Sequence, residues 1–214
     1  MTALERRPRG RPAGPGPAGE RTREAILRAA HDVFSEQSYH AAGIAAIAER
    51  AGVPKGSFYY AFPSKDALVV ALIEHIVAHD GKLIAALLDA YADDPRRGIR
   101  AIFEGVRRRA ARDGLHKACL IAKLTLEIGH VSDEARTALR RAYAKWGGQI
   151  AAAIGALDTA KDSPVRDPHR VAMVLLNSWQ GALARAALED TLEPLDDFIA
   201  CALATLLAEG ASPR

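Results

Sequence analysis

Apolar residues recur three and four positions apart along most of this chain, and no stretch shows the strict alternation of a half-buried strand. Ile26, Leu27, Ala30, Val33 and Phe34 form the first helical stripe, with Thr22 as its expected N-cap and Glu24 near its start. Ile44, Ile47, Ala48 and Ala51 make a short second helix, which Gly52 closes by supplying a left-handed residue. Pro54 is expected at the first position of a third helix reaching about Tyr60, because its missing N–H costs nothing there. Ser64 then caps a fourth helix, with Asp66 in its first turn and the stripe Leu68, Val69, Leu72, Ile73, Ile76 and Val77. Gly81 is expected to loosen that helix, and residues 92–95, Ala-Asp-Asp-Pro, to end it.

A fifth helix is predicted over residues 97–112, carrying Ile99, Ile102, Phe103 and Val106 and ending at Gly114. A sixth spans about residues 117–128. Asp133 is expected to cap a seventh that carries Leu139, Tyr143, Trp146, Ile150 and Ile154. Residues 158–168, rich in Asp and Pro, read as a loop. The eighth helix covers about residues 169–188. Pro194 opens a ninth, with Phe198, Ile199, Ala202, Leu203, Leu206 and Leu207 on one face. The chain is therefore read as all-α, with about nine helices.

The second and third helices, joined by a short turn containing Gly52, make a helix-turn-helix, the unit that lays its second helix in the DNA major groove. Lys55 and Tyr59 stand one above the other on that second helix. Gly56 lets backbone approach a phosphate, and Ser57, Tyr59 and Tyr60 offer hydroxyls. Lys65, at the start of the next helix, is expected to clamp a phosphate, and Thr22 and Arg23 to lie near the DNA backbone.

These residues carry a resemblance. A-G-V-P-K-G-S-F-Y-Y-A-F-P-S-K-D-A-L, residues 51–68, is similar to the recognition segment of TetR-family transcriptional regulators, A-G-V-S-x-G-T-L-Y-x-H-F-x-S-K-E-x-L. Gly43 stands where the family has a Ser or Thr cap, Ala46 replaces a common Asp, and Ala61 replaces the His or Tyr before the Phe. The second half resembles one group of that family. The carriers are A-C-L-I-A-K-L-T-L-E at residues 118–127 against G-C-L-x-x-N/K-L-x-x-E, together with Trp146, W-Q-G-A-L at 179–183 and E-P-L-D-D-F at 193–198. The resemblance implies a regulator, most simply a repressor, that binds a palindromic operator in double-stranded DNA as a homodimer and is released by a small-molecule or electrophilic effector. It implies three regions: a disordered basic tail (1–20), a helix-turn-helix DNA-binding domain (21–66) and a helical effector-binding and dimerisation domain (67–214).

Composition narrows this reading without carrying it. The 214 residues are 49% hydrophobic and only 6% aromatic, which suits close-packed helices, and the net charge is a modest +3. No apolar run is long enough to span a bilayer and no signal peptide is visible, so a cytoplasmic protein without membrane contact is expected. Arg9 and Arg11, in P-R-G-R-P, read either as a solvated basic tail or as a hook for the minor groove of A·T-rich DNA. The arginines at 107–109 and 112 read as a solvated face. No catalytic motif is present and no cofactor is implied. His75 and His79 have metal-ligand spacing, but two ligands do not close a site, and no metal is expected.

An effector pocket is expected among helices five to eight, lined by Phe103, Leu120, Leu124, Trp146, Asn177, Trp179 and Gln180, with Asn177 and Gln180 as its buried amides. Val174, Ser178, Phe198, Ala202 and Leu206 on helices eight and nine are expected at a dimer interface. Cys119 is a candidate sensor: His116 and Lys123 on its helical face and the start of helix six would lower its pKa, whereas an apolar setting would leave it a small core residue. Two alternatives to a regulated repressor stay open: an architectural DNA-binding protein without effector, and a thiol-based redox sensor through Cys119.

Overall fold

A computed structural model describes residues 16–118, 120–130, 132–157 and 167–207. The order is α1 (Pro17–Glu36), α2 (Ile44–Arg50), α3 (Lys55–Ala61), α4 (Lys65–Ala90), α5 (Pro95–Asp113), a 3₁₀ turn (Leu115–Lys117), α6 (Leu120–Ile128), α7 (Asp133–Leu157), α8 (Pro168–Glu189) and α9 (Glu193–Asp197). A π turn (Phe198–Ala202) joins α9 to α10 (Leu203–Leu206). The described residues are mostly helical and contain no strand.

Local chemistry explains most of the boundaries. Gly52 has φ +66°, a conformation that a β-carbon disfavours, so the α2–α3 turn needs glycine there. Ser64 accepts a hydrogen bond from the Ala67 N–H, Asp94 from the Arg97 N–H and Asp167 from the Arg170 N–H, and each opens a helix. Gly114, at φ 98°, ends α5.

Several expected boundaries move. Helix α1 begins at Pro17, more than a turn before Thr22, because proline at the first helical position is pre-set for a helix and Glu20 complements its N-terminus. Thr22 is therefore not a cap. Its hydroxyl donates to the Ala18 carbonyl inside the helix, and residues 17–20 are helix rather than tail. Pro54 is the N-cap of α3, one position earlier than expected. Ser132, not Asp133, caps α7 by accepting from the Ala135 N–H. Gly81 does not loosen α4. It is buried, and a β-carbon there would meet the Lys145 side chain of α7 at 2.7 Å, so the missing side chain lets the two helices approach.

Helices α1 to α3 enclose one apolar cluster with the first turns of α4; Ile26, Phe34, Ile47, Phe58, Phe62 and Leu68 are fully buried in it. Helix α4 runs on without interruption, so the expected boundary after Asp66 falls inside a helix of 26 residues, about 39 Å long. Its second half packs against α5 and α7, and α7 packs against α8. Phe103, Trp179 and Phe198 form a ring cluster with centroids 4.9 to 5.2 Å apart. Phe198 is thereby only 4% exposed. This corrects its assignment to a dimer surface: two aromatic partners within the chain take up its face. Val174 and Ser178 remain exposed on α8, while Ala202 and Leu206 are half-buried.

Candidate functional site

Helix α3 divides its residues between core and solvent. Phe58 is fully buried against α1 and α2, whereas Tyr59 and Tyr60 are 51% and 66% exposed. Lys55 and Gly56 are exposed beside them and Ser57 is half-buried. A β-carbon on Gly56 would meet no atom of the described residues within 4 Å, and the same holds at Gly43, the N-cap of α2. Both glycines thus leave open space where an external backbone can approach. Arg23 on α1 is exposed, with its guanidinium 4.4 Å above the Phe62 ring and donating to the Ala61 carbonyl that ends α3. It fixes the end of the helix while keeping other donors free.

Lys65 is placed differently from expectation. Its ammonium donates to the Tyr39 and Ala42 carbonyls at 2.9 and 3.1 Å and lies 4.4 Å from the Tyr39 ring centroid. It is turned inward to fasten the α1–α2 loop, because those loop carbonyls have no helical partner and a nearby cation satisfies them. The Tyr39 hydroxyl donates to Asp66, and burial, with that carboxylate beside it, pushes the phenol pKa well up. Arg9, Arg11 and Cys119 lie outside the described residues.

Behind this face, α6 and the turn before it grip α1. Glu127 accepts from the Tyr39 backbone N–H at 2.6 Å. Lys123 donates to the Ser35 and Gln37 carbonyls at 3.0 and 2.8 Å, at the open C-terminal end of α1. Lys117 pairs with Asp32 of α1 at 3.4 Å. Lys123 is thus engaged with the C-terminal end of α1. The sequence held a signal for this grip: Lys123 and Glu127 sit four apart on one face of α6, and they are the Lys and Glu of the quoted segment.

Two cavities adjoin the grip. The larger, about 670 Å³, lies among α4, α5, α7 and α8 and is lined by Phe103, Trp146, Trp179 and Gln180 as expected, together with Arg108, Arg109 and Arg112. The other expected lining residues are corrected. Asn177 is exposed and lines neither cavity; Leu124 is fully buried core; Leu120 lines only the second cavity. That second cavity, about 540 Å³, opens between α1, α4 and the 3₁₀ turn. His79, Asp80, Arg109, Ala118 and Trp146 line both and form the wall between them. The arginines are therefore not merely a solvated face: Arg109 pairs with Asp80 across this wall at 3.4 Å. Its position three residues after Val106 continues the apolar stripe of α5, and that signal was present in the sequence. His31, on the second cavity, has its pKa lowered chiefly by burial, with Asp32 opposing and Arg109 and Lys117 adding to the depression. No group of three or more metal-ligating side chains occurs among the described residues, and His75 and His79 line the second cavity. No helix among the described residues is long and apolar enough to cross a membrane.

Comparison with known proteins agrees with this geometry. Residues 26–72 match the model for bacterial regulatory proteins of the tetR family, and residues 95–202 match a tetracyclin repressor-like C-terminal domain. The chain is 31% identical to the transcriptional regulator AcuR of Cereibacter sphaeroides over 194 residues, covering 89% of this chain and 87% of AcuR. It is 29% identical to the HTH-type transcriptional repressor DhaR of a Mycobacterium species, covering 86% and 92% of the two chains. The crystal structure of the reduced form of NemR from Escherichia coli superposes with a TM-score of 0.78 at 26% identity, covering 88% of this chain and 99% of that one.

Proposed function

The chain belongs to the TetR family of bacterial regulatory proteins, and from that premise we propose that it is a repressor which binds a near-palindromic operator as a homodimer and leaves it when a small molecule fills the larger cavity. It is a DNA-binding transcriptional regulator and not an enzyme. The observation that carries the operator reading is the division of α3. A helix that buries Phe58 completely while holding Tyr59, Tyr60 and Lys55 in solvent presents a rigid, hydrogen-bonding face sized for a major groove. Val174 and Ser178 of α8, with Ala202 and Leu206, supply an isologous contact that sets two such faces apart.

Release follows from the grip of α6. Leu120 and Ile121 at its start line the second cavity, which shares the wall of Asp80, Arg109, Ala118 and Trp146 with the larger one, and its Lys123 and Glu127 hold the C-terminal end of α1 and the loop before α2. A ligand that shifts α6 therefore tilts the DNA-reading unit, and the two α3 faces lose their operator spacing. The protein acts in the cytoplasm, with its DNA. Gel shifts on genomic fragments, with and without small molecules, test this reading. A fragment retained by the wild-type chain, lost with Tyr59→Ala and released by at least one compound is the expected result. Retention that no compound relieves supports an architectural protein instead.

A further inference from the structure

The larger cavity is apolar over most of its wall and cationic at one end. Phe103, Trp179 and Val106 form the apolar part, whereas Arg108, Arg109 and Arg112 face one lining carboxylate among the described residues, Asp80. Arg108 and Arg112 answer to Glu104 and Asp113, both outside this cavity, at 3.6 and 2.8 Å. Among the described residues, Arg109 pairs with Asp80 through one long contact of 3.4 Å. Its Nε is buried and has no hydrogen-bond partner among the described residues. The indole N–H of Trp146, a residue 7% exposed on the same wall, also has none. Two unsatisfied buried donors in the wall of a mostly apolar cavity call for an acceptor that the described residues do not supply.

Resting on the effector reading above, we propose that the ligand of this cavity is an amphipathic organic carboxylate. Its carboxylate takes the Nε side of Arg109, where the planar fork donates to two oxygens, while Asp80 stays on the Nη1 side, and its apolar body lies on Phe103 and Trp179. A cavity of about 670 Å³ accommodates a drug-sized acid. The charges around the fork fix opposite signs for two substitutions. Removing the guanidinium removes the carboxylate's partner, whereas neutralising Asp80 removes a carboxylate that repels the ligand's own.

The test is calorimetric titration of the full-length protein with matched acid and alcohol pairs: hexanoate to dodecanoate against the corresponding primary alcohols, and phenylbutyrate against phenylbutanol. Acids are expected to bind the wild type at least about tenfold tighter than their alcohols. Arg109→Gln should abolish that preference and Asp80→Asn should widen it, with circular dichroism confirming that both variants fold. The wild-type comparison needs no variant and decides the matter even if one of them unfolds. Equal binding of acid and alcohol to the wild type overturns the carboxylate assignment and leaves the effector cavity standing, as does a folded Asp80→Asn protein that weakens acids. Failure of every acid and every alcohol to bind overturns the cavity reading as well.

Discussion

Glu127 on α6 accepts a hydrogen bond at 2.6 Å from the backbone N–H of Tyr39, in the loop that leads into α2. Eighty-eight positions apart in sequence, the two residues join the helix beside the cavities to the back of the DNA-reading unit. A charged acceptor on an amide near the surface is worth roughly 1.5 kcal/mol. Glu127→Ala is expected to raise the hydrogen-exchange rate of the Tyr39 amide about tenfold, and Glu127→Gln, which keeps an acceptor, to raise it less. Unchanged exchange in the alanine variant would show that this contact does not hold the loop.

The open space around Gly56 yields a prediction with two opposite signs. Alanine there meets no atom of the described residues within 4 Å and is the better helix former, by up to about 1 kcal/mol. The melting temperature of Gly56→Ala should therefore stay level or rise. Operator affinity should fall at least about tenfold, because the added methyl group occupies the space meant for a phosphate. A variant that is both more stable and equally tight on DNA would place the phosphate elsewhere.

Much of this face was legible in the sequence because its signals are local. Gly52, Ser64 and the Lys55–Tyr59 spacing act within one or two turns, and turn and cap chemistry depends on neighbours in the chain. What stayed hidden depends on distant partners. Lys65 reads as an exposed cation until the loop carbonyls of Tyr39 and Ala42 come to it. Phe198 reads as an interface residue until Phe103 and Trp179 close over it. Asn177 and Gln180 are three apart on α8, and only the packing of α7 and α5 decides that Gln180 turns to the cavity and Asn177 to solvent. Arg109 and Asp80 lie on different helices, so no periodicity within one helix could pair them.

His31 gives the fold a pH dependence of known sign. Burial holds its pKa below the ordinary 6.5, so the unfolded chain binds the proton more readily than the folded one. The stability tied to the neutral ring is fully present above pH 6.5 and is lost as pH falls through 6.5 towards the lowered folded value. His31→Gln should show a smaller drop in melting temperature than the wild type on acidification through that window. Parallel drops in the two proteins would remove His31 from the account.

The exposed part of α8 supplies the test of assembly. Val174 is 41% exposed at its centre, with Ser178 one turn on. Val174→Arg places a charge against its own copy across an isologous contact and should convert a dimer to a monomer in sedimentation at micromolar concentration. Circular dichroism should be unchanged, since the side chain is outside the protomer core. A dimer that persists in this variant would move the interface away from α8.

The central claim is that two α3 faces, held apart by a dimer, read one operator. Selection from random double-stranded DNA with the full-length protein measures this directly. The expected product is a near-palindromic consensus whose half-sites are repeated in inverted orientation, with enrichment abolished by Tyr59→Ala. Enrichment of a single unrepeated site, of no sequence at all, or of the same consensus by the Tyr59→Ala protein would contradict it.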